Sequence, residues 1–473
     1  MSKCATGVYL AALLLAEVGI AHAPASAGAF WLTLLLTVWI IAVIWAVTRH
    51  SFSLPFAAIL AAMFLFVIYP AIAAQIFHQT TIAGIDASAG VARALQIAAL
   101  AQCGMLAGAI AARTARPAAG FRRLRPMLSS SHLDQAMRWS VAGGIGGIVA
   151  YSAAGGASLL NYFAFTTAGG YGSFTSQSAG NYAALLAMQC IAGLALVLLP
   201  LRLGRTNVSR RLGPLLLAAL AVFVLLGGGQ RGRFLVPAFA ALLIWLKTSD
   251  KGRRPRRIAV AGLIVTVTLA GLIGVARGSA DTRHVTVSTA LEQPFGSGNN
   301  LFLPLAAMAS TVPGQFTYLG GASYLDIPAY AVPRALWPGK PQDAILALTR
   351  TFDNNAGLAV PEFGEMYVNF GLAGVVIGSV LLGALVEVLS LRLSRSGSIR
   401  ESVFIAVCSG VLLYIFARGA IAAILTTFEP LLVAAALICR RRSPVLDQVP
   451  GPGEPGSPEI QPPAKPASPI AAP

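Results

Sequence analysis

Five arginines, Arg93, Arg231, Arg233, Arg277 and Arg418, stand at the ends of long apolar runs. Two of the places are tight glycine turns, Gly227-Gly228-Gly229-Gln230-Arg231-Gly232-Arg233 and Arg418-Gly419. Residues 212–246 have to supply two membrane spans and their turn in 35 positions, which draws Arg231 and Arg233 to or below headgroup level. A guanidinium fork matches phosphate oxygens in pairs, and a charge at bilayer depth is expensive. Five at one level therefore suit the pyrophosphate of a lipid-linked substrate, whereas a single arginine would more simply snorkel to phospholipid headgroups. The complementary chemistry, deprotonating a hydroxyl, needs a carboxylate or an imidazole. The candidates on the same side are Glu365, His284, Asp326 and Glu362. Glu362 and Glu365 are three apart and share a face if a helix begins there, where the macrodipole would also stabilise them without any chemistry. Glu365 lies nearest the membrane and is the first choice. His284 is the second, since its neutral form suits base work, although Arg283 beside it opposes its protonation.

The elements that must hold these groups follow from composition. Hydrophobic residues make up 56% of the 473-residue chain and charged residues 11%, with a mean hydropathy of +0.73. A soluble domain carries about a quarter charged residues, so three soluble domains are excluded. The apolar runs give about 12 transmembrane helices, near 4–20, 29–48, 54–74, 89–112, 139–159, 181–201, 213–228, 233–247, 258–276, 367–390, 402–418 and 420–438. With the N-terminus inside, 25 of the 34 Lys and Arg fall on the cytoplasmic side. That bias places both termini in the cytoplasm. The net charge of +17 thus reports topology and contact with anionic lipid heads, and no nucleic-acid recognition motif accompanies it. Ala21-His22-Ala23 imitates a cleavage site, but Pro24 would follow the cut, so residues 4–20 are kept as the first span. The five cysteines lie in spans or on the inner side, with no metal-site spacing and no disulfide framework.

The expected organisation is an all-α polytopic membrane protein. Residues 1–276 carry spans one to nine, 277–366 form a large outer loop, 367–438 carry spans ten to twelve, and 439–473 are a Pro-rich cytoplasmic tail. Ten prolines in residues 443–473 cannot bury a core, so the tail is expected to be disordered. The outer loop holds nine aromatics, among them Tyr318, Tyr324, Tyr330 and Trp337, with seven acidic and five basic residues. Aromatic faces with interspersed carboxylates suit sugars; the same rings could equally form the core of a small folded cap. A phosphate loop, an Asp-x-Asp pair and a His-Glu-x-x-His string are all missing, so the chemistry expected here uses no metal, no cofactor and no internal ATPase.

Three strings occur in order: Gly229-Gln230-Arg231-Gly232-Arg233-Phe234, then Pro333-Arg334-Ala335-Leu336-Trp337-Pro338-Gly339-Lys340-Pro341, then Gly364-Glu365-Met366-Tyr367-Val368-Asn369-Phe370-Gly371. Between residues 213 and 390 the chain resembles the bacterial oligosaccharide repeat unit polymerases, the Wzy-type O-antigen and exopolysaccharide polymerases. Gln230 departs from the Ser or Thr more usual there. The resemblance implies a helical bundle like the type C glycosyltransferases with a long periplasmic loop, in the inner membrane. It implies an enzyme that moves a glycan from undecaprenyl pyrophosphate onto a hydroxyl of a new lipid-linked repeat unit at the outer face. A chain-length regulator and a flippase would be its partners. On this reading Arg231, Arg233, Arg277, Arg418 and Arg93 bind pyrophosphate. Arg334 and Lys340 face the reaction cavity, held by Pro333, Pro338 and Pro341, with Trp337 and Tyr324 against sugar. Two alternatives share features with it: an O-antigen ligase, which uses the same donor, and a lipid-linked oligosaccharide flippase, for which Glu429-Pro430 inside a span speaks.

Overall fold

The computed structural model describes residues 27–48, 53–76, 80–82, 85–115, 130–153, 187–203, 212–226, 231–248, 300–330 and 359–440, with residues 78, 185, 332 and 337. The expected spans at 4–20 and 258–276 and the tail from 443 lie outside the described residues. The helices are α1 (Ala27–Thr48), α2 (Leu54–Ile76), α3 (Val91–Ala115), α4 (Ser130–Ala153), α5 (Gly193–Leu203), α6 (Leu212–Leu226), α7 (Arg231–Thr248), α8 (Phe302–Thr311), α9 (Ala322–Tyr330), α10 (Glu362–Arg395), α11 (Ile399–Arg418) and α12 (Ile421–Arg440). A two-strand hairpin, β1 (Thr81–Ile82) against β2 (Ile85–Asp86), precedes α3. Among the described residues, six helices are long and apolar enough to cross a membrane: those at 28–46, 54–76, 88–115, 362–395, 399–418 and 421–438. The expected spans at 181–201 and 213–228 are shorter apolar helices, Met188–Leu203 and Leu212–Leu226.

Two apolar cores result. One joins α1, α2, α3, α8 and the first half of α10; the other joins α4, α5, α6, α7, α11 and α12. Leu412 and Leu413 of α11 pack against both. The tightest seam is α3 on α10. A Cβ at Gly108 would lie 1.9 Å from the Val380 carbonyl oxygen, and one at Gly383 would lie 2.1 Å from that of Met105. Small residues let two backbones touch where no water-driven hydrophobic force draws membrane helices together. Gly104 meets Ser379, Gly108 meets Ala384, and Arg113 meets Glu387, so the two helices run parallel.

Part of the expected outer loop belongs to this core. Phe302, Leu305, Ala306 and Met308 of α8 are fully buried. A π-helical turn at Phe64–Ile68 of α2 displaces the normal ladder, and the Phe66 carbonyl accepts from the backbone N–H of Leu301 (3.0 Å). Asn300 then starts α8 by accepting from the N–H groups of Phe302 and Leu303 (both 3.0 Å). Ten residues are too few to cross a bilayer, but they suffice to wedge between α2 and α3.

Charge divides the bundle by ends. At one end Arg113 pairs with Glu387 (3.2 Å) beneath the Trp45 ring, and Arg202 pairs with Asp134 through two bonds of 2.6 and 2.9 Å. Lys247 there donates to the Leu393 carbonyl, and Arg392, Arg395 and Arg400 flank the α10–α11 turn. The opposite end holds the starts of α3, α7, α10 and α12.

Near that opposite end, Asp86 accepts from the Ser88 N–H (2.9 Å), the Ser88 hydroxyl (2.9 Å) and the Thr80 hydroxyl (3.1 Å). These bonds, the Ser88 backbone bond first, hold its carboxyl below the ordinary 3.8. A carboxyl lowered in the folded state stabilises above its unfolded value and loses that contribution as the pH falls through the folded one. The melting temperature of the wild type is therefore expected to fall more steeply between about pH 5 and pH 2 than that of Asp86→Asn, measured side by side in detergent. Parallel curves would assign the acid sensitivity to other groups.

Candidate functional site

The string Gly364 to Gly371 opens α10, and the structure gives most of its residues a task. Pro361 sits at the helix N-cap in an extended conformation (φ −63°, ψ 157°), and Glu362 and Glu365 fill the first turn. The helix breaks at Gly371 (φ 67°, ψ −156°), in a region essentially reserved for glycine. In an unbroken helix the carbonyls of Val368 and Asn369 would bond the N–H groups of Leu372 and Ala373. Here they accept from Leu319 N–H and Gly320 N–H, each at 3.0 Å. The segment before α9 thus takes the place of helical donors. Tyr318 lies against the break, 3.2 Å from where a Gly371 Cβ would be, and Tyr367 donates to the Val312 carbonyl (2.9 Å).

Beneath α9 lies a buried polar cluster. Glu365 is 1% exposed: one carboxylate oxygen accepts from the Ser323 hydroxyl (2.7 Å), the other from the backbone N–H of Ile421 (3.2 Å). Ile421 is the first residue of α12, so Glu365 satisfies one of its open amides and sits at the positive end of its dipole. Asn369 donates through Nδ2 to the Ser323 hydroxyl and to the Glu365 carbonyl, both at 2.8 Å. Glu362 is 3% exposed and accepts from the Tyr324 hydroxyl (3.2 Å). Burial, then the neighbouring charges of Glu362 and Glu365, push the Tyr324 phenol far above its usual range, so it stays a donor. The Tyr324 ring stacks on Phe370 (6.1 Å between centroids, 9° between planes), whose other surroundings leave it exposed.

The arginines are distributed around the same end. Gly232 of α7 meets Tyr414 of α11 and Gly410 meets Val236, so these helices run antiparallel and bring Arg233 and Arg418 to one end. Their surroundings differ. Arg233 is 5% exposed and donates to the Gln189 side-chain oxygen, while Gln189 donates to the Val224 carbonyl at the end of α6. Arg418 closes α11 and is exposed. Arg93, at the start of α3, is exposed and donates to Gln96 (2.7 Å). The Arg231 backbone opens α7, and its side chain lies outside the described residues, as do Arg277, His284, Arg334 and Lys340. Trp337 is 43% exposed. Among the described residues no three His, Cys, Asp or Glu side chains are grouped to hold a metal.

The sequence put Glu362 and Glu365 on one helix face and named Tyr324 without joining it to them, and it did not single out Ser323, Asn369 or Gln189 as partners. Asn369 had a signal, because 362, 365 and 369 recur at i, i+3 and i+7 on one helix face. Ser323 and Gln189 had none, since their partners are 42 and 44 residues away.

Residues 8–443 match the family model described as O-antigen polysaccharide polymerase Wzy. Curated proteins named O-antigen polymerase, from Salmonella typhimurium (strain LT2) and from Salmonella typhi, are each 28% identical over 107 residues, 20% of this chain and 26% of theirs. The chain thus matches about a quarter of the length of these relatives. No solved structure matches.

Proposed function

The chain belongs to the O-antigen polysaccharide polymerase Wzy family, and from that premise we propose that it joins lipid-linked oligosaccharide repeat units into a surface polysaccharide. The donor is a glycan on undecaprenyl pyrophosphate and the acceptor a hydroxyl of a second lipid-linked unit. The observation that carries this reading is the buried Glu362–Glu365–Tyr324 cluster at the basic-poor end of a membrane bundle, beside Arg418. Under the positive-inside rule that end is the outer one, which puts the reaction at the periplasmic face of the inner membrane and both termini in the cytoplasm. A pyrophosphate leaving group carries its own activation, so no metal is required. Arg231 and Arg418, at the ends of α7 and α11, receive its charge together with Arg93 and Arg277. Arg233 is buried and supports the start of α7 through Gln189. Arg334 and Lys340 act in the same reaction, with Trp337 against sugar, and His284 is the reserve base. A flippase and a chain-length regulator supply substrate and set product length.

Deleting the gene tests the reading: single lipid-linked repeat units should accumulate and long polymer should vanish. Unchanged polymer, or accumulation of a completed lipid-linked polymer, would remove polymerisation from consideration. Within the proposal, Arg231→Lys keeps the charge and loses the fork. Its rate on extracted lipid-linked repeat units is expected to fall on the order of 10²-fold, as for loss of one oxyanion donor. A rate within threefold of wild type would take Arg231 off the pyrophosphate.

A further inference from the structure

We infer that Glu362 takes the proton from the attacking sugar hydroxyl, that Tyr324 positions it, and that Glu365, nearer the membrane, is a positioning residue. The assignment rests on the polymerase reading and divides the two carboxyls by what already occupies them. Glu365 has one oxygen on the Ser323 hydroxyl and the other on the Ile421 amide, so it ties α10 to α9 and to the start of α12. Using it as a base would break one of those ties in every cycle. Glu362 accepts from the Tyr324 hydroxyl on one oxygen and faces the Glu365 carboxyl, and its Oε2 has no hydrogen-bond partner among the described residues although the residue is 3% exposed. Asn369 Oδ1, one helical face along and 1% exposed, also has no donor among them. Buried acceptors are nearly always satisfied, so two on one face point to a ligand that brings hydroxyl donors.

The surroundings match a sugar. Tyr324 links the two parts of the site: its hydroxyl reaches Glu362 and its ring stacks on the exposed Phe370 ring, a face on which the C–H side of a pyranose rests. The acceptor hydroxyl oxygen bonds to the anomeric carbon of the donor glycan. The bond from that carbon to the pyrophosphate oxygen breaks, and its electron pair leaves with the lipid pyrophosphate. The hydroxyl proton passes to Glu362 Oε2 and from there to water.

The test uses the full-length protein in detergent and lipid-linked repeat units extracted from the deletion strain. Glu362→Gln should lower kcat by on the order of 10²- to 10⁴-fold with little change in KM, and without a change in melting temperature. Glu362→Asp, which keeps a carboxylate, should recover part of that loss. Tyr324→Phe should lower kcat by roughly tenfold or less, as a positioning group would. Glu365→Gln should lower the melting temperature and reduce the rate by less than Glu362→Gln. A Glu362→Gln rate within tenfold of wild type would overturn the assignment. So would a Glu365→Gln variant that melts like wild type and loses the larger share of kcat. If the wild-type protein joins none of the extracted units and the deletion strain still makes polymer, the polymerase reading itself fails and takes the assignment with it.

Discussion

Gly419→Ala is expected to abolish polymer formation and to lower stability by on the order of 4 kcal/mol, with backbone strain and steric overlap acting together. Gly419 has φ 56° and ψ −154°, a conformation that side chains rarely tolerate. A Cβ there would lie 2.3 Å from the Val360 carbonyl oxygen and 3.4 Å from the Pro361 carbonyl. Both obstacles are backbone, so no rotamer change relieves them. Val360 and Pro361 lead directly into Glu362, and Gly419 leads into Ile421, whose amide Glu365 accepts from. Whichever side yields, the two carboxyls lose their common frame. Melting of the purified variant and polymer length in cells report the two effects together. A variant that melts within a degree of wild type and makes full-length polymer would show that the turn is not rigidly set.

Glu387→Ala is expected to cost about 3–5 kcal/mol, the range for removing one member of a buried ion pair. The Glu387 side chain is 0% exposed and that of Arg113 is 11% exposed, with Trp45 across the guanidinium at 5.5 Å. Alanine leaves a cation between α1, α3 and α10 without its carboxylate. Replacing both residues with leucine should restore most of the loss, because two desolvated charges gain little over an apolar pair of similar volume. Thermal melts of the two single variants and the double variant form the cycle. A double variant no more stable than Glu387→Ala would mean that the pair contributes more than its own desolvation cost.

Much of the framework was legible in the sequence, because lipid imposes one structural solution on a long apolar run. The spans expected at 29–48, 54–74, 89–112, 402–418 and 420–438 coincide closely with helices. The span expected at 367–390 is a helix from 362 to 395, since the polar ends of a helix read as loop when hydropathy is the guide. The break at Gly371 was not legible. One glycine in an apolar run is compatible with continuous helix, and only the pairing of Leu319 and Gly320 with the carbonyls of Val368 and Asn369 makes it a corner. The apolar stretch Phe302 to Met308 fell below span length and was counted with the outer loop, although it is core. At the site, residue types gave the carboxyls and the arginines. Which oxygen of which carboxyl is occupied depends on Ser323, Tyr324 and Ile421, and nothing local in sequence links those to position 362 or 365.

If the chain lengthens a polymer by one unit per turnover, as proposed, the product must shift against the protein in every cycle, and some wall of the bundle has to yield. The seam between α3 and α10 is the wrong place. Packed helices shear by trading side-chain rotamers, and where Gly108 and Gly383 set backbone on backbone there are none to trade. Sliding there would mean lifting one helix off the other. The pair is therefore the fixed post of the bundle. α9 is fastened to it differently, through the Ser323 and Tyr324 side chains, so sliding belongs there and not in the seam.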